Sequence, residues 1–247
     1  MVIKSSEEVA LMRQAGKVVA TVLQKLKEKV KPGIKTNQLD SVAVSELRRF
    51  GAKASFKGYQ GFPSHLCVSV NDEIVHGIPG ERQLNEGDIV SLDFGAMLNG
   101  FHGDAAITVG VGRISSQAQE LLTVTEAALM AGIRTAHCGA HLGDVSAAIQ
   151  SYVEERGFSV VREYSGHGIG RDLHEDPLVP NFGFCGEGLL LQEGMALALE
   201  PMVTAGDWLT NLAENQWTVL TADGSLSAHF EHTIAINDVE PEVLTLL

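Results

Sequence analysis

A chain of 247 residues, 45% hydrophobic and 20% charged, has an ordinary globular balance and is long enough for one large domain or two small ones. Its 31 acidic against 18 basic residues leave a net charge of −13, which argues against a general nucleic-acid binder and against specific DNA as a partner. Three cysteines (Cys67, Cys138 and Cys185) are few, far apart and odd in number, which points to a reduced compartment without a disulfide framework or a cysteine zinc site.

The chain starts with "MVIKSSEEVALMRQ", which carries charge through its middle and has no apolar run of the signal-peptide kind. No apolar stretch approaches the roughly 18 residues a membrane helix needs, so the expected setting is cytoplasmic, with no membrane partner. Leu11, Met12, Ala15, Val18, Val19, Val22, Leu23 and Leu26 then form a helical stripe. A second helix follows in "TNQLDSVAVSELRRFGA", with Thr36 as the candidate N-cap and Gly51 as the stop. A strand-rich stretch runs from about Cys67 to Val111. Two more helical segments, one from Ser115 and one in "GDVSAAIQSYVEERGF", lead to a second strand-rich stretch. The order is helix, helix, strands, twice over.

Inside the first strand stretch lies "SLDFGAMLNGFHGDAA", Ser91 to Ala106. Asn99-Gly100 between apolar runs predicts a two-residue hairpin turn, because both turn positions need positive φ. That turn sets Leu98 opposite Phe101, Gly95 opposite Asp104 and Asp93 opposite Ala106. Asp93 and Asp104 then share one face as diagonal neighbours, roughly 7–8 Å apart at the backbone. Two carboxylates so close repel unless a cation sits between them or one is protonated.

The second half repeats the pattern. "EGDIVSLDFG" from Glu86 resembles "EGMALALEPM" from Glu193, which matches Asp93 to Glu200. "GDAAITV" resembles "FEHTIAI", which matches Asp104 to Glu231, and "VHGIP" resembles "GHGIG", which matches His76 to His167. Matched core positions in a merely structural repeat would be apolar, because burying carboxylates costs more than a fold gains without compensating cations. The expectation is a single catalytic domain over 1–247, α+β in class. It would be a pseudo-two-fold duplicated unit of halves at about 5–112 and 115–240, with a curved central antiparallel sheet and helices packed outside.

Asp93, Asp104, His167, Glu200 and Glu231 make an oxygen-rich donor set with one imidazole. Four carboxylates suit two divalent ions, with cobalt, manganese or iron fitting best and zinc or nickel also able to bind. Such a pair activates a bridging hydroxide, so hydrolysis of an amide or phosphoester is expected. His76 and His174 lie close in sequence to these residues and could serve as donors to an oxyanion or leaving nitrogen. His65, His102, His137, His141, His229 and His232 are read as surface or hydrogen-bonding residues, though His102 and His232 adjoin ligand positions.

Five blocks together, "SFKGYQGFPSHLCVSVNDEIVHGIP", "SLDFGAMLNGFHGDAAITV", "SGHGIGRDLHEDP", "ALALEPMV" and "SLSAHFEHTIAI", resemble type I methionine aminopeptidase in its short bacterial form. The resemblance spans nearly the whole chain and implies the pita-bread fold. It implies that Asp93, Asp104, His167, Glu200 and Glu231 bind the metal pair, with Asp104 and Glu231 bridging. Glu200 would also carry the proton, and His76 and His174 would contact the scissile amide. Phe56, Tyr59, Phe62, Cys67, His76, Leu173, His174 and Trp217 would line an apolar methionine pocket. Leu173 stands where the family usually has phenylalanine, and "AGDWLTNLAENQWTV" departs from the usual stretch before the pocket tryptophan. The implied activity is removal of the N-terminal methionine from nascent proteins, preferably before a small second residue, by a monomer. The alternatives are a proline-directed aminopeptidase, which usually carries an extra N-terminal domain, and a metal-free binding protein on the same fold, which would lack ligands. Lys25, Lys27, Lys29, Lys31 and Lys35 form the one dense basic run, a solvated helix end or a contact for ribosomal RNA near emerging chains.

Overall fold

The computed structural model describes residues 2–247. The first half runs α1 (Ser6–Lys29), α2 (Thr36–Phe50), β1 (Lys53–Ala54), β2 (Cys67–Val70), β3 (Glu73–Val75), β4 (Ile89–Leu98) and β5 (Phe101–Gly110). The second runs α3 (Ser116–Thr135), α4 (Leu142–Glu154), β6 (Ser159–Val160), β7 (Ser165–Gly168), β8 (Glu175–Pro180), β9 (Ala196–Leu199) and β10 (Met202–Thr204). It closes with β11 (Thr210–Leu212), β12 (Val219–Thr221), β13 (Ser227–His229), β14 (Glu231–Ala235) and β15 (Glu242–Val243).

Local chemistry accounts for the helix ends. Ser5 caps α1 by accepting from the Glu8 N–H, while the Glu8 carboxylate accepts from the Ser5 N–H, a reciprocal capping box. Ser115 caps α3 in the expected place, accepting from the Ala118 N–H. Gly51 ends α2 at φ 64°, in the left-handed region that glycine enters without penalty. Thr36 is not the N-cap of α2; that position is Lys35. The Thr36 hydroxyl instead exchanges hydrogen bonds with the backbone of Gly80, accepting at 2.8 Å and donating at 3.1 Å, which ties the helix to the loop after β3.

The main sheet has nine strands and every pairing in it is antiparallel. Its central path runs β1-β4-β5-β14-β9-β7-β8, with β2 on β4 and β15 on β14. The hairpin β4–β5 has the expected register, with Asp93 opposite Ala106, Gly95 opposite Asp104 and Leu98 opposite Phe101. Asn99 and Gly100 turn it at φ 53° and 82°. The halves meet at β5 and β14. Glu231 faces Ala106, two residues past Asp104, and Thr233, two residues past Glu231, bonds the Asp104 backbone through its hydroxyl on both sides. That reciprocity is the local sign of the pseudo-two-fold.

Each half packs its helices on its own strands. Val19, Val22, Leu26, Leu39 and Leu47 of α1 and α2 bury against Val68, Leu92 and Phe94. Leu121, Leu129, Val145 and Ile149 of α3 and α4 bury against Leu197, Leu199 and Ile234. A smaller cluster with Met12, Phe56, Phe62, Phe101 and Leu173 lies between the two. Two three-stranded sheets, β13-β10-β6 and β11-β12-β3, complete the molecule. No described helix is long and apolar enough to cross a membrane.

Candidate metal centre and substrate cavity

The acids sit where the halves join. Asp93 comes from β4, Asp104 from β5 and Glu231 from the first position of β14; Glu200 lies one residue past the end of β9 and His167 on β7. Antiparallel pairing brings β4, β5, β14, β9 and β7 side by side, so residues far apart in sequence face one point. One ligand atom each from Asp104, His167 and Glu231 lie within 4.8 Å of one another, and all three side chains are buried. Asp93 and Glu200 open partly onto a cavity. His167 Nε2 is 3.6 Å from Glu200 Oε1. The other His167 nitrogen, Nδ1, is 2.9 Å from the Gly168 carbonyl, which makes Nδ1 the N–H donor and leaves Nε2 as a lone-pair donor toward the acids.

The electrostatics suit a divalent cation. Burial raises the Glu200 carboxyl to about 8 and Asp93 to about 7, the latter opposed by nearby His229. Burial first, then neighbouring carboxylates, pushes Asp104 and Glu231 well above the usual carboxylate range. Burial drives His167 down to about 3 and His76 down to about 4, which keeps both imidazoles neutral. Among the described residues, Asp93 Oδ1, Asp104 Oδ1 and Glu231 Oε1 are buried without a hydrogen-bond partner. Buried oxygens without donors are costly, and a metal ion is the partner that satisfies several at once. Four carboxylates and one imidazole form a hard, oxygen-rich set, so the residues fit the group the sequence implies.

The cavity above the acids has a volume of about 640 Å³. Phe56, Tyr59, Phe62, Cys67, His76, Leu173, His174 and Trp217 all line it, together with Asp93, Asp104, His167, Glu200 and Glu231. Phe62 meets Trp217 edge-on with centroids 5.2 Å apart, an apolar corner. Cys67 is paired in register with Asp93, and burial followed by the Asp93 charge holds its thiol well above the usual range, so it acts as a small apolar wall. Sequence reasoning missed Val75, Tyr164 and Met202, which also line the cavity. Val75 and Met202 lie inside quoted blocks and Tyr164 one residue before another, but nothing local marks them, and only tertiary packing brings them to the cavity.

Two histidines are held firmly. His174 Nδ1 lies 2.7 Å from the Tyr59 hydroxyl, and its ring packs edge-on against His167 at 4.1 Å. His76 adopts φ 59°, a left-handed conformation rare for a residue with a Cβ and typical of functional sites. Gly77 makes this possible: a Cβ there would come within 2.1 Å of the Val68 carbonyl, and its N–H donates to Ser69 Oγ at 3.1 Å. Of the histidines read as bland, His102 bonds Ser55 and His232 bonds Thr245, each through Nδ1 at 2.8 Å. His65 is beside Asp40. His229 departs from that reading: it is 1% exposed, and its Nε2 is 3.5 Å from Glu200 Oε2. The sequence held a signal for it. His229 is two residues before Glu231, a spacing that repeats a side-chain face in extended chain.

Comparison with known proteins agrees with this geometry. The model of "Metallopeptidase family M24" matches residues 10–238. A methionine aminopeptidase of Clostridium perfringens is 52% identical over 247 residues, covering 100% of this chain and 99% of its own. Methionine aminopeptidase 1 of Bacillus subtilis is 52% identical over 246 residues, 99% of each. The crystal structure of methionine aminopeptidase from Thermotoga maritima superposes with a TM-score of 0.99 at 45% identity, covering 100% of both chains. An Xaa-Pro dipeptidase from Bacillus anthracis, 24% identical with a TM-score of 0.79, shares the fold alone. The α+β architecture is the pita-bread fold of these neighbours. The chain belongs to metallopeptidase family M24.

Proposed function

We propose that this protein is a metal-dependent aminopeptidase that removes the N-terminal methionine from nascent proteins and peptides. The observation that carries the reading is a largely apolar cavity ending on a buried cluster of Asp104, His167 and Glu231, with Asp93 and Glu200 in the same lining. Full-length methionine aminopeptidases at about half identity support the same activity, whereas proline-directed enzymes share the fold only.

Asp93, Asp104, His167, Glu200 and Glu231 would hold two divalent ions, with Asp104 and Glu231, at the central β5–β14 seam, as the shared pair. When bound, the metal supplies Lewis-acid polarisation and a nucleophile at neutral pH, with manganese, iron or cobalt suiting the oxygen-rich set. The chain's own residues do the rest. Phe56, Tyr59, Phe62, Cys67, Leu173 and Trp217 enclose the methionine side chain and exclude water around the amide. Leu173 is smaller than a phenylalanine and leaves that wall roomier. His174, with Nδ1 fixed by Tyr59, presents Nε2 to the amide carbonyl as oxyanion forms. His76, neutral by burial, faces the same amide from the left-handed turn. Glu200 takes the proton of the attacking water and passes it to the leaving amine.

The test is release of methionine from Met-Ala-Ser, an Xaa-Pro peptide serving as control, by chelator-treated protein before and after addition of Mn²⁺. Methionine release that depends on Mn²⁺, with the Xaa-Pro peptide intact, is expected. Preferential cleavage of the Xaa-Pro peptide would overturn the assignment.

A cytoplasmic monomer that meets nascent chains at the ribosome fits this activity. Lys25 is paired with Glu46 and Lys35 with Glu81, each at 2.6 Å, so Lys27, Lys29 and Lys31 are the exposed remainder of the basic run. Replacing these three with glutamate is expected to abolish salt-sensitive co-sedimentation with ribosomes and to leave tripeptide hydrolysis unchanged. Undiminished pelleting would reduce the run to a solvated helix end.

A further inference from the structure

His229 ends β13, and Glu231 begins β14, so both side chains leave the same short extended segment toward the acid cluster. The imidazole is deeply buried, the residue being 1% exposed. Among the described residues neither ring nitrogen has a hydrogen-bond partner. A buried imidazole with nothing to bond costs free energy, so its surroundings should show what it serves. Among the described residues the carboxylate within 4.0 Å of it is Glu200: Nε2 lies 3.5 Å from Oε2. The opposite oxygen, Oε1, lies 3.6 Å from His167 Nε2. The Glu200 carboxylate is thus bracketed, one imidazole to each oxygen.

The backbone of His229 is fixed more tightly than a strand end requires. Thr108 Oγ1 accepts from the His229 N–H and donates to the His229 carbonyl, both at 2.8 Å. Ser91 Oγ is 2.8 Å from the same Thr108 hydroxyl, so the clamp reaches back to β4, two residues from Asp93. On its other edge His229 pairs in register with Met202, a cavity residue two positions past Glu200. Glu200 itself is anchored through its backbone carbonyl, which accepts from Asn181 Nδ2 at 3.0 Å, while its side chain keeps three rotatable bonds. A carboxylate that must receive and release a proton in one direction needs to be aimed, and His229 is the rigid donor in reach.

We propose that His229 is a positioning residue for Glu200: its Nε2–H donates to Glu200 Oε2, fixing the carboxylate against His167 and setting which oxygen faces the scissile amide. The role rests on the reading of Glu200 as a metal ligand and proton carrier. It explains why a polar, N–H-bearing side chain occupies a position that packing alone would fill with an aliphatic one.

The test compares His229→Leu, which removes the donor, with His229→Gln, which keeps an N–H at similar reach. His229→Leu is expected to lower kcat on Met-Ala-Ser about 10–100-fold, with KM within about twofold. Titrating Mn²⁺ into chelator-treated protein by calorimetry should show the same number of binding events with the tightest weakened about tenfold or more. His229→Gln should recover most of both. Should His229→Leu fail to fold, His229→Asn, polar but too short to reach Glu200, takes its place. In the double variant His229→Leu/Glu200→Gln, the loss should not exceed that of Glu200→Gln alone, because His229 acts through Glu200. Wild-type turnover in His229→Leu overturns the proposal, as does a glutamine variant no better than leucine. Loss of a whole binding event in the glutamine and leucine variants also overturns it, because His229 would then be a ligand. Wild-type turnover in Glu200→Gln would sink the proton-carrier reading separately, and the Mn²⁺ affinities would still decide the role of His229.

Discussion

His174 and Asp104 show what single residues are asked to do. His174 is locked by Tyr59 and packed on His167, so its ring is pre-aimed before any peptide arrives. A donor pre-aimed at a developing oxyanion acts in the transition state more than in the ground state. His174→Ala is therefore expected to lower kcat by roughly 10²–10³-fold with a smaller change in KM, read by steady-state kinetics on a methionyl tripeptide. Asp93 and Asp104 differ in place: Asp93 is on β4, one strand away from the seam, and Asp104 is on β5 at the seam between halves. Asp93→Asn should weaken one calorimetric Mn²⁺ binding event, and Asp104→Asn should weaken both. Two undisturbed events after Asp104→Asn would show that it is not shared. The convergence of these acids was legible because acids at matched core positions make no sense as packing. His229 was only half legible: its two-residue spacing from Glu231 marks a shared face, but what that face meets is set only when β13, β10 and β5 are in place.

Elements, not residues, set the rigidity of the site. The segment that carries His174 joins β7 to β8, and one carboxylate clamps it: Glu175 Oε1 accepts from the backbone N–H groups of Arg171 and Asp172. Glu175 Oε2 pairs with Lys4, whose side chain is 3% exposed and comes from the stretch before α1. The N-terminal strap thus holds the loop of the second half. Lys4→Met leaves Glu175 buried without its cation, which should destabilise the fold by about 3 kcal/mol, seen as a lower denaturant midpoint with unchanged slope. The same variant should lower kcat, because the His174 loop loses its brace; an unchanged midpoint would mean the pair is solvated. This link was invisible in the sequence, since nothing local couples Lys4 to a residue 171 positions on. The helices and the β4–β5 hairpin were legible, because period 3.6, period 2 and Asn-Gly are local codes. The Thr36 cap failed for the same reason in reverse: a tertiary bond to Gly80 competed for the hydroxyl and moved the cap to Lys35.

At the scale of the whole molecule, the cost of gathering four acids into one seam should appear as a dependence of stability on pH and metal. Glu200 and Asp93, raised by burial to about 8 and about 7, and Asp104 and Glu231, raised well above the usual carboxylate range, keep protons in the folded chelator-treated protein that the unfolded chain has already lost. Where the folded state binds more protons than the unfolded one, stability falls as pH rises. The buried histidines pull the other way. His76 and His167, lowered to about 4 and about 3, and His102, His174, His229 and His232, also lowered, bind fewer protons folded than unfolded. That opposing slope ends only above pH ~7.5, where unfolded histidine is neutral too. Between pH ~7.5 and ~8.5 the carboxyls act without that opposition, each retained proton contributing about 1.4 kcal/mol per pH unit. Scanning calorimetry of chelator-treated protein should therefore show Tm falling by several degrees across that window, about 2–4 °C for each kcal/mol. Saturating Mn²⁺ replaces those protons, so Tm should rise with metal concentration and the slope should flatten. Asp104→Asn should reduce the slope without metal and blunt the gain with it, because a neutral amide has no proton to keep and little to offer a cation. A chelator-treated protein whose Tm is flat from pH ~7.5 to ~8.5 would mean that the seam holds its carboxylates ionised without a cation, and the burial argument for a metal centre at β5 and β14 would fail.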